Sequence, residues 1–265
     1  MSALEVSGPD VSGVTTLTLN VPERRNAISD TMREEIVEIC QAIDGGDDTK
    51  VVILTGAGPA FCAGGDLKAM SGRIARGTGY SAAYSNYAFR AARAAAALAN
   101  LTRPVIVAVN GPAVGAGLSM AALGDLRIAS TKASFSAPFL RRGLIPDWGL
   151  IHSLPRLIGE GPTTDMLLTG RVLNAQEALD LGLVGEVTEP ETLMERARDC
   201  AQTVAEMAPL AVQSYLRLLK VTRGDSFGET LDREAVEQAR LQQSKDYHEG
   251  VAAFMARRSP VFMGH

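Results

Sequence analysis

The chain has 265 residues, of which 46% are hydrophobic, enough for a sizeable core; 26 basic against 30 acidic side chains leave a formal net charge of −4. That balance argues against nucleic acid as the main partner, and no apolar run reaches the roughly 18 residues a membrane span needs. The N-terminus shows no basic start followed by an apolar stretch, and Cys40, Cys62 and Cys200 are few and scattered, which fits a cytoplasmic protein without a disulfide frame.

Residues 14–19 alternate as a strand does, and Glu-Arg-Arg-Asn at 23–26 reads as a polar loop. Thr31 with Glu34 makes a capping box ahead of Met32, Ile36, Ile39 and Ile43, which fall on one helix face. Asp-Gly-Gly-Asp at 44–47 ends that helix, and the apolar run 51–55 reads as a buried strand. Strand, helix, strand in that order favours an α/β architecture. Residues 68–80, with Lys68, Gly72, Arg73, Arg76, Gly77 and Gly79, have the composition of a mobile segment, whereas the alanines of 82–98 favour helix. A second buried strand is expected over 104–109, then a turn at Asn110-Gly-Pro, short strands at 124–129 and 133–135, and a turn-rich stretch at 142–149 opening a helix towards Leu154 and Pro155. Asn174 and Glu177 cap a further helix that Gly182 ends. Helices are then expected over 193–207, 210–222, 227–244 and 249–257. This divides the chain into an α/β core, 1–190, and a helical region, 191–265.

Two stretches carry chemistry. Residues 104–119, Pro-Val-Ile-Val-Ala-Val-Asn-Gly-Pro-Ala-Val-Gly-Ala-Gly-Leu-Ser, run from a buried strand through Gly115, Ala116 and Gly117 into a helix. A helix start leaves backbone N–H groups unpaired and suits an anion or a developing oxyanion; a tight turn that binds nothing is the other reading. Residues 60–67, Ala-Phe-Cys-Ala-Gly-Gly-Asp-Leu, deliver Ala63, Gly64 and Gly65 to a second such turn. Two N–H groups aimed at one carbonyl oxygen make a minimal oxyanion hole. Neither turn completes a dinucleotide fingerprint: Phe61 and Met120 stand where the third glycine belongs, and the Gly-Lys-Ser/Thr ending of a phosphate loop is missing. His152, His248 and His265 are too dispersed to read as metal ligands.

This pair of turns resembles the enoyl-CoA hydratase/isomerase (crotonase) superfamily. The likeness extends from Pro-Glu-Arg-Arg-Asn-Ala at 22–27 through Leu-Pro-Arg-Leu-Ile-Gly at 154–159 to Glu-Gly-Val-Ala-Ala-Phe at 249–254. It implies a spiral of ββα turns with C-terminal helices that pack trimers or dimers of trimers, and an acyl-CoA thioester as substrate, coenzyme A being part of that substrate and not a separate cofactor. It assigns the backbone N–H groups of Ala63 and Ala116 to the oxyanion hole. Arg24, Arg25 and Ala27 match the phosphate-contacting loop, and Gly65, Asp66, Leu67 and Lys68 the turn on the adenine side. Phe254 and Arg257 match positions that reach the coenzyme A of a neighbouring subunit.

The same resemblance marks a departure. Hydratases of this superfamily use two glutamates; their positions here hold Ser119 and Phe139. Neither residue can move a proton to or from water near neutral pH. One carboxylate remains: Asp147, beside Trp148 in Leu-Ile-Pro-Asp-Trp-Gly at 144–149, matches a position that is acidic in several crotonase-type isomerases. Burial raises an aspartate pKa and a helix start lowers it, and a helix cap is the other role an aspartate takes there. A single acid suits removal of a proton from C2 or C4 of an unsaturated acyl thioester and its return elsewhere, with Phe139 excluding water. An isomerase is therefore expected. A hydratase using Asp147 with His152 or Asp66, and a non-catalytic acyl-CoA-binding protein, are the alternatives. Cys62 lies beside the site but has no histidine near it in sequence, which disfavours a catalytic thiol.

Overall fold

The computed structural model describes residues 2–75 and 82–265. In chain order the elements are β1 (Leu4–Ser7), β2 (Val14–Leu19), α1 (Asp30–Gly45), β3 (Val51–Gly56), α2 (Leu67–Ala75), α3 (Ala82–Ala99), β4 (Val105–Val109), β5 (Ala113–Val114), α4 (Ala116–Ala122), β6 (Leu126–Ser130), β7 (Ser134–Ser136), α5 (Leu150–Ile158), α6 (Glu160–Thr169), β8 (Val172–Asn174), α7 (Ala175–Asp180), β9 (Glu186–Thr188), α8 (Leu193–Ala205), α9 (Pro209–Val221), α10 (Phe227–Leu241) and α11 (Lys245–Ala256).

A six-stranded sheet runs β1-β2-β3-β4-β6-β9 and a small one β5-β7-β8. Every neighbouring pair in the large sheet is parallel except β1–β2. Its central strands, Val-Val-Ile-Leu-Thr in β3 and Val-Ile-Val-Ala-Val in β4, are buried throughout. Continuous apolar, β-branched runs suit strands covered on both faces.

The ββα repeat that no sequence period reveals is plain in space. Each turn of the spiral sends one strand into the large sheet, adds a short extended stretch, and returns through a helix. In two turns the second stretch is a proper strand, β5 or β7; in the other two it has shrunk to a single bridge, Ile28 with Gly65 and Cys62 with Ala113. Two residues of extended chain leave no periodic signal to read.

One core lies between the large sheet and α1, α3, α4 and α5, with Leu54, Phe61, Leu118, Phe135 and Leu150 among its residues. A second lies on the other face, where Leu193, Ala197, Ala201 and Ala205 of α8 pack on Val14, Val51, Ile53, Ile106, Ala108 and Ile128. Each large apolar side chain so buried stabilises by about 1.5–3 kcal/mol. The expected division at residue 190 therefore cuts through the core: α8 is a layer of the α/β body, and the peripheral helices begin only at α9.

Three local expectations need correction. The cap of α1 is Ser29, whose Oγ accepts the N–H of Met32, and not Thr31 with Glu34. Residues 67–75 form a helix, because Asp66 Oδ1 takes the Ala69 N–H at 3.0 Å and starts the turn; Arg76, Gly77 and Gly79 lie outside the described residues. The helix expected over 249–257 begins earlier, at Lys245, with Ser244 as its cap. The Asn174–Glu177 capping box forms as expected. No described helix is long and apolar enough to cross a membrane.

Candidate active site

Four connections of the spiral meet beside the small sheet. The loop after β2 meets the turn after β3 through Ile28 N–H to Gly64 C=O at 2.7 Å and Ala63 N–H to Arg25 C=O at 2.9 Å. That turn is laced to the next by Cys62 N–H to Pro112 C=O at 3.1 Å and Val114 N–H to Cys62 C=O at 2.9 Å. The stretch after β4 is tied onward by Gly115 N–H to Ser136 C=O at 2.8 Å. Gly117 must be glycine here, since a Cβ would collide with the Cys62 carbonyl.

This lacing revises one donor. The N–H of Ala63 is already committed to Arg25 and cannot also grip a ligand. The N–H groups of Gly65 and Ala116 donate to no described group, and the point where a Gly64 Cβ would sit is 3.5 Å from the Ala116 nitrogen, so the two turns run side by side. Ala116, at the first position of α4, has no intrahelical acceptor. The free pair is therefore Gly65 and Ala116, within turns the sequence identified but two residues further along the first.

Asn26 and Asn110 hold the turns in place. Asn26 is fully buried; its amide donates to the carbonyls of Ala57, Ala60 and Phe61 at 2.8–3.1 Å and its Oδ1 accepts the Val21 N–H at 2.9 Å. Asn110 accepts from Gly56 N–H and donates to Gly58. Both stand in the motifs quoted above, yet their clamping role had no periodic signal. Cys62 is fully buried and its thiol donates to the Asn26 carbonyl at 3.1 Å; burial pushes its pKa up to about 12, so it is no nucleophile at neutral pH.

Arg24 and Arg25 are exposed, and Ala27 is half-buried behind them. Arg24 Nη1 reaches Asp66 Oδ2 at 3.1 Å, which brings the arginine loop against Gly65, Leu67 and Lys68, the last two exposed. Asp66 braces this junction and starts α2, so both its oxygens are occupied. Phe254, 82% exposed, lies on the surface of α11, and the exposed Arg257 follows directly as its C-cap.

The two positions that the resemblance matches to the hydratase glutamates are apolar in effect. Ser119 is fully buried and its hydroxyl donates back to the Gly115 carbonyl at 3.2 Å. Phe139 is buried with its ring tip 3.7 Å from the Cβ position of Gly115, closing over the second turn.

Asp147 differs from every other carboxylate described. Its Oδ1 is buried without a hydrogen-bond partner. The helix-cap role is not taken: α5 starts at Leu150 with Gly149 as its cap and no side-chain acceptor. Burial raises the Asp147 pKa, opposed by the Arg33 charge and by its own backbone N–H. Burial thus outweighs the opposing influences. Trp148 follows at φ 53°, a conformation a bulky side chain adopts only under constraint, and its indole N–H is also buried without a partner.

His152 does not join Asp147. Its exposed ring faces Arg223 Nη1 at 2.9 Å, and burial, Arg156 and Arg223 lower its pKa. Arg33 was missed altogether: an arginine on an apolar helix face gives no sign of being buried. Among the described residues no group of three His, Cys, Asp or Glu side chains is placed to hold a metal ion.

A ββα spiral whose glycine turns lie side by side in this way is the crotonase fold. The family model described as enoyl-CoA hydratase/isomerase matches residues 10–265, and the chain belongs to that family, whose members are enzymes acting on acyl-CoA thioesters. A 1,2-epoxyphenylacetyl-CoA isomerase of Escherichia coli (strain K12) is 37% identical over 95% of each chain. An enoyl-CoA hydratase of Alternaria alternata is 34% identical over 98% of this chain and 86% of its own. Among solved structures, an enoyl-CoA hydratase from Bacillus anthracis superposes with a TM-score of 0.91 at 32% identity, covering 99% of this chain and all of that one.

Proposed function

We propose that the protein moves a double bond within an unsaturated acyl-CoA thioester through an enolate. The Gly65 and Ala116 amides hold the thioester oxygen, and Asp147 takes a proton from C2 or C4 and returns it at the other end of the allyl system. Preorganised main-chain donors stabilise such an oxyanion by several kcal/mol in a site that excludes water. Arg24, Arg25 and Lys68 face the phosphates and adenine of coenzyme A.

The observation that carries this reading is the Asp147 carboxylate, buried, unpartnered at Oδ1, free of a capping role and raised in pKa. A general base works best when its pKa approaches the working pH. Phe139 and the self-bonded Ser119 supply no second acid for water addition. The similarity to an isomerase supports the same reading. Hydratases among the relatives favour water addition as the second reading, which needs a partner acid for Asp147.

Incubation with 3-enoyl-CoA esters in heavy water tests this. A conjugated thioester carrying deuterium is expected, and its loss in Asp147→Asn. Hydrated product from 2-enoyl-CoA without isomerisation favours the hydratase; ester binding with no conversion favours a binding protein.

The same reading extends to assembly. Tyr215, Phe227, Val236, Phe254 and Met255 on α9, α10 and α11 are 62–82% exposed, an apolar surface suited to burial between copies. A homotrimer or pair of trimers covers it, with Phe254 and Arg257 completing a neighbour's coenzyme A site.

A further inference from the structure

Helix α1 carries a buried cation. Arg33 is 2% exposed; its Nη1 reaches Asp30 Oδ1 at 2.6 Å, but that carboxylate is 44% exposed, and Arg33 Nε is buried with no partner. Burying a guanidinium with a donor unmade is unfavourable. Besides opposing the rise in the Asp147 pKa, the cation packs on a ring: its Cζ lies 4.1 Å from the centroid of Tyr87 on α3. The Tyr87 hydroxyl in turn lies 3.0 Å from the point a Gly65 Cβ would occupy, beside the amide assigned above to the thioester oxygen. A guanidinium on the ring face is attracted by the ring quadrupole and draws density from the phenol, making its O–H a stronger donor.

We propose that Tyr87 is a further substrate-contacting residue, positioned by Arg33. Its hydroxyl donates to an oxygen on the first carbons of the acyl group, so that the site selects acyl-CoA thioesters bearing a hydroxyl, oxo or epoxide oxygen over plain hydrocarbon ones. This rests on the acyl-CoA reading of the same site. A tyrosine that merely added a third donor to the thioester oxygen would strengthen every ester alike, so the ratio between two esters separates the two roles.

Calorimetric titration with hexanoyl-CoA and 2-hydroxyhexanoyl-CoA, both saturated and so not isomerised, measures that ratio. The native protein is expected to bind the hydroxy ester about tenfold tighter, as one added hydrogen bond allows. Tyr87→Phe and Arg33→Met bring the two esters to within about twofold, while Arg33→Lys, which keeps a cation over the ring, recovers part of the difference. Equal native affinity for the two esters, a preference surviving in Tyr87→Phe, or equal weakening of both esters in that variant overturns the proposal. Should Arg33→Met fail to fold, Tyr87→Phe, which removes one oxygen, decides alone. Failure of the native protein to bind either ester overturns the acyl-CoA reading itself, and is distinguishable from equal binding of both.

Discussion

The carbonyl of Arg25 takes the N–H of Ala63 at 2.9 Å and ties the loop before α1 to the turn before α2. That leaves the Gly65 amide as the donor the proposed function assigns to the thioester oxygen. Ala63→Gly is expected to leave kcat/KM close to native, because the hydrogen bond it makes is main-chain. Gly65→Ala places a methyl 3.0 Å from the Tyr87 hydroxyl and is expected to lower kcat/KM by about tenfold or more, against roughly 10²–10³ for outright loss of an oxyanion donor. Steady-state kinetics on the two variants checks the assignment; the reverse ranking restores Ala63.

Asp147→Asn is expected to lower kcat by roughly 10²–10⁴, the span of a lost general base. The same substitution is expected to raise stability at neutral pH. A carboxyl whose pKa is raised by folding holds its proton more tightly in the folded chain. Its stabilisation is full below the ordinary value of 3.8 and is lost as pH rises through the raised folded value. Asparagine does not ionise, so the variant gains on the native protein above that window and the gap closes below it. Melting curves from pH 3 to 7 read this directly, and the acid limb of native kcat/KM should lie above the ordinary carboxylate value.

Ser119→Ala is expected to keep turnover close to native and to cost on the order of 1 kcal/mol of stability, the size of one hydrogen bond. A large loss of turnover would return this position to the proton-transfer machinery.

Much of this was legible in the residues themselves. β2, β3 and β4 are continuous or alternating apolar runs, and periodicity found them. The two glycine turns and Asp147 declared themselves by composition and resemblance. What stayed hidden depends on contacts between distant segments. Which amide of 63–65 is free is settled by Arg25, almost 40 residues upstream. Arg33 reads as a solvated helix charge until α3 lays Tyr87 over it. Of the small-sheet strands only β7 was expected, β5 and β8 being too short for any pattern, and α2 was obscured by its glycine and serine.

Asn26→Ala is expected to destabilise by about 3 kcal/mol or more, since the Ala57 and Phe61 carbonyls and the Val21 N–H lose their partner around a fully buried side chain, while the Ala60 carbonyl keeps only its 3.3 Å bond from Asn110. The residue also sits at φ 55°, where asparagine is more at ease than alanine. Denaturant unfolding measures the cost.

Arg24→Ala is expected to raise KM for coenzyme A esters about fivefold with little change in kcat, as loss of one exposed ionic contact does. Native KM should rise with salt, and less steeply in the variant. Asp66→Asn, which frees Arg24 from its 3.1 Å ion pair, is expected to move KM the other way provided α2 still forms. Parallel salt curves for native and Arg24→Ala would remove the arginine from the ligand site.

The donors at Gly65 and Ala116 belong to the peptide chain and not to side chains. No single codon change can delete an amide hydrogen short of introducing proline, so random mutagenesis should reach the proposed oxyanion donors mainly by crowding them, as an added Cβ at Gly65 would. Loss-of-function variants should concentrate instead on Asp147, on Gly117 pressed against the Cys62 carbonyl, and on Asn26. Under the proposed function, the grip on the thioester is thereby insulated from point mutation, while the proton transfer assigned to Asp147 hangs on one replaceable side chain.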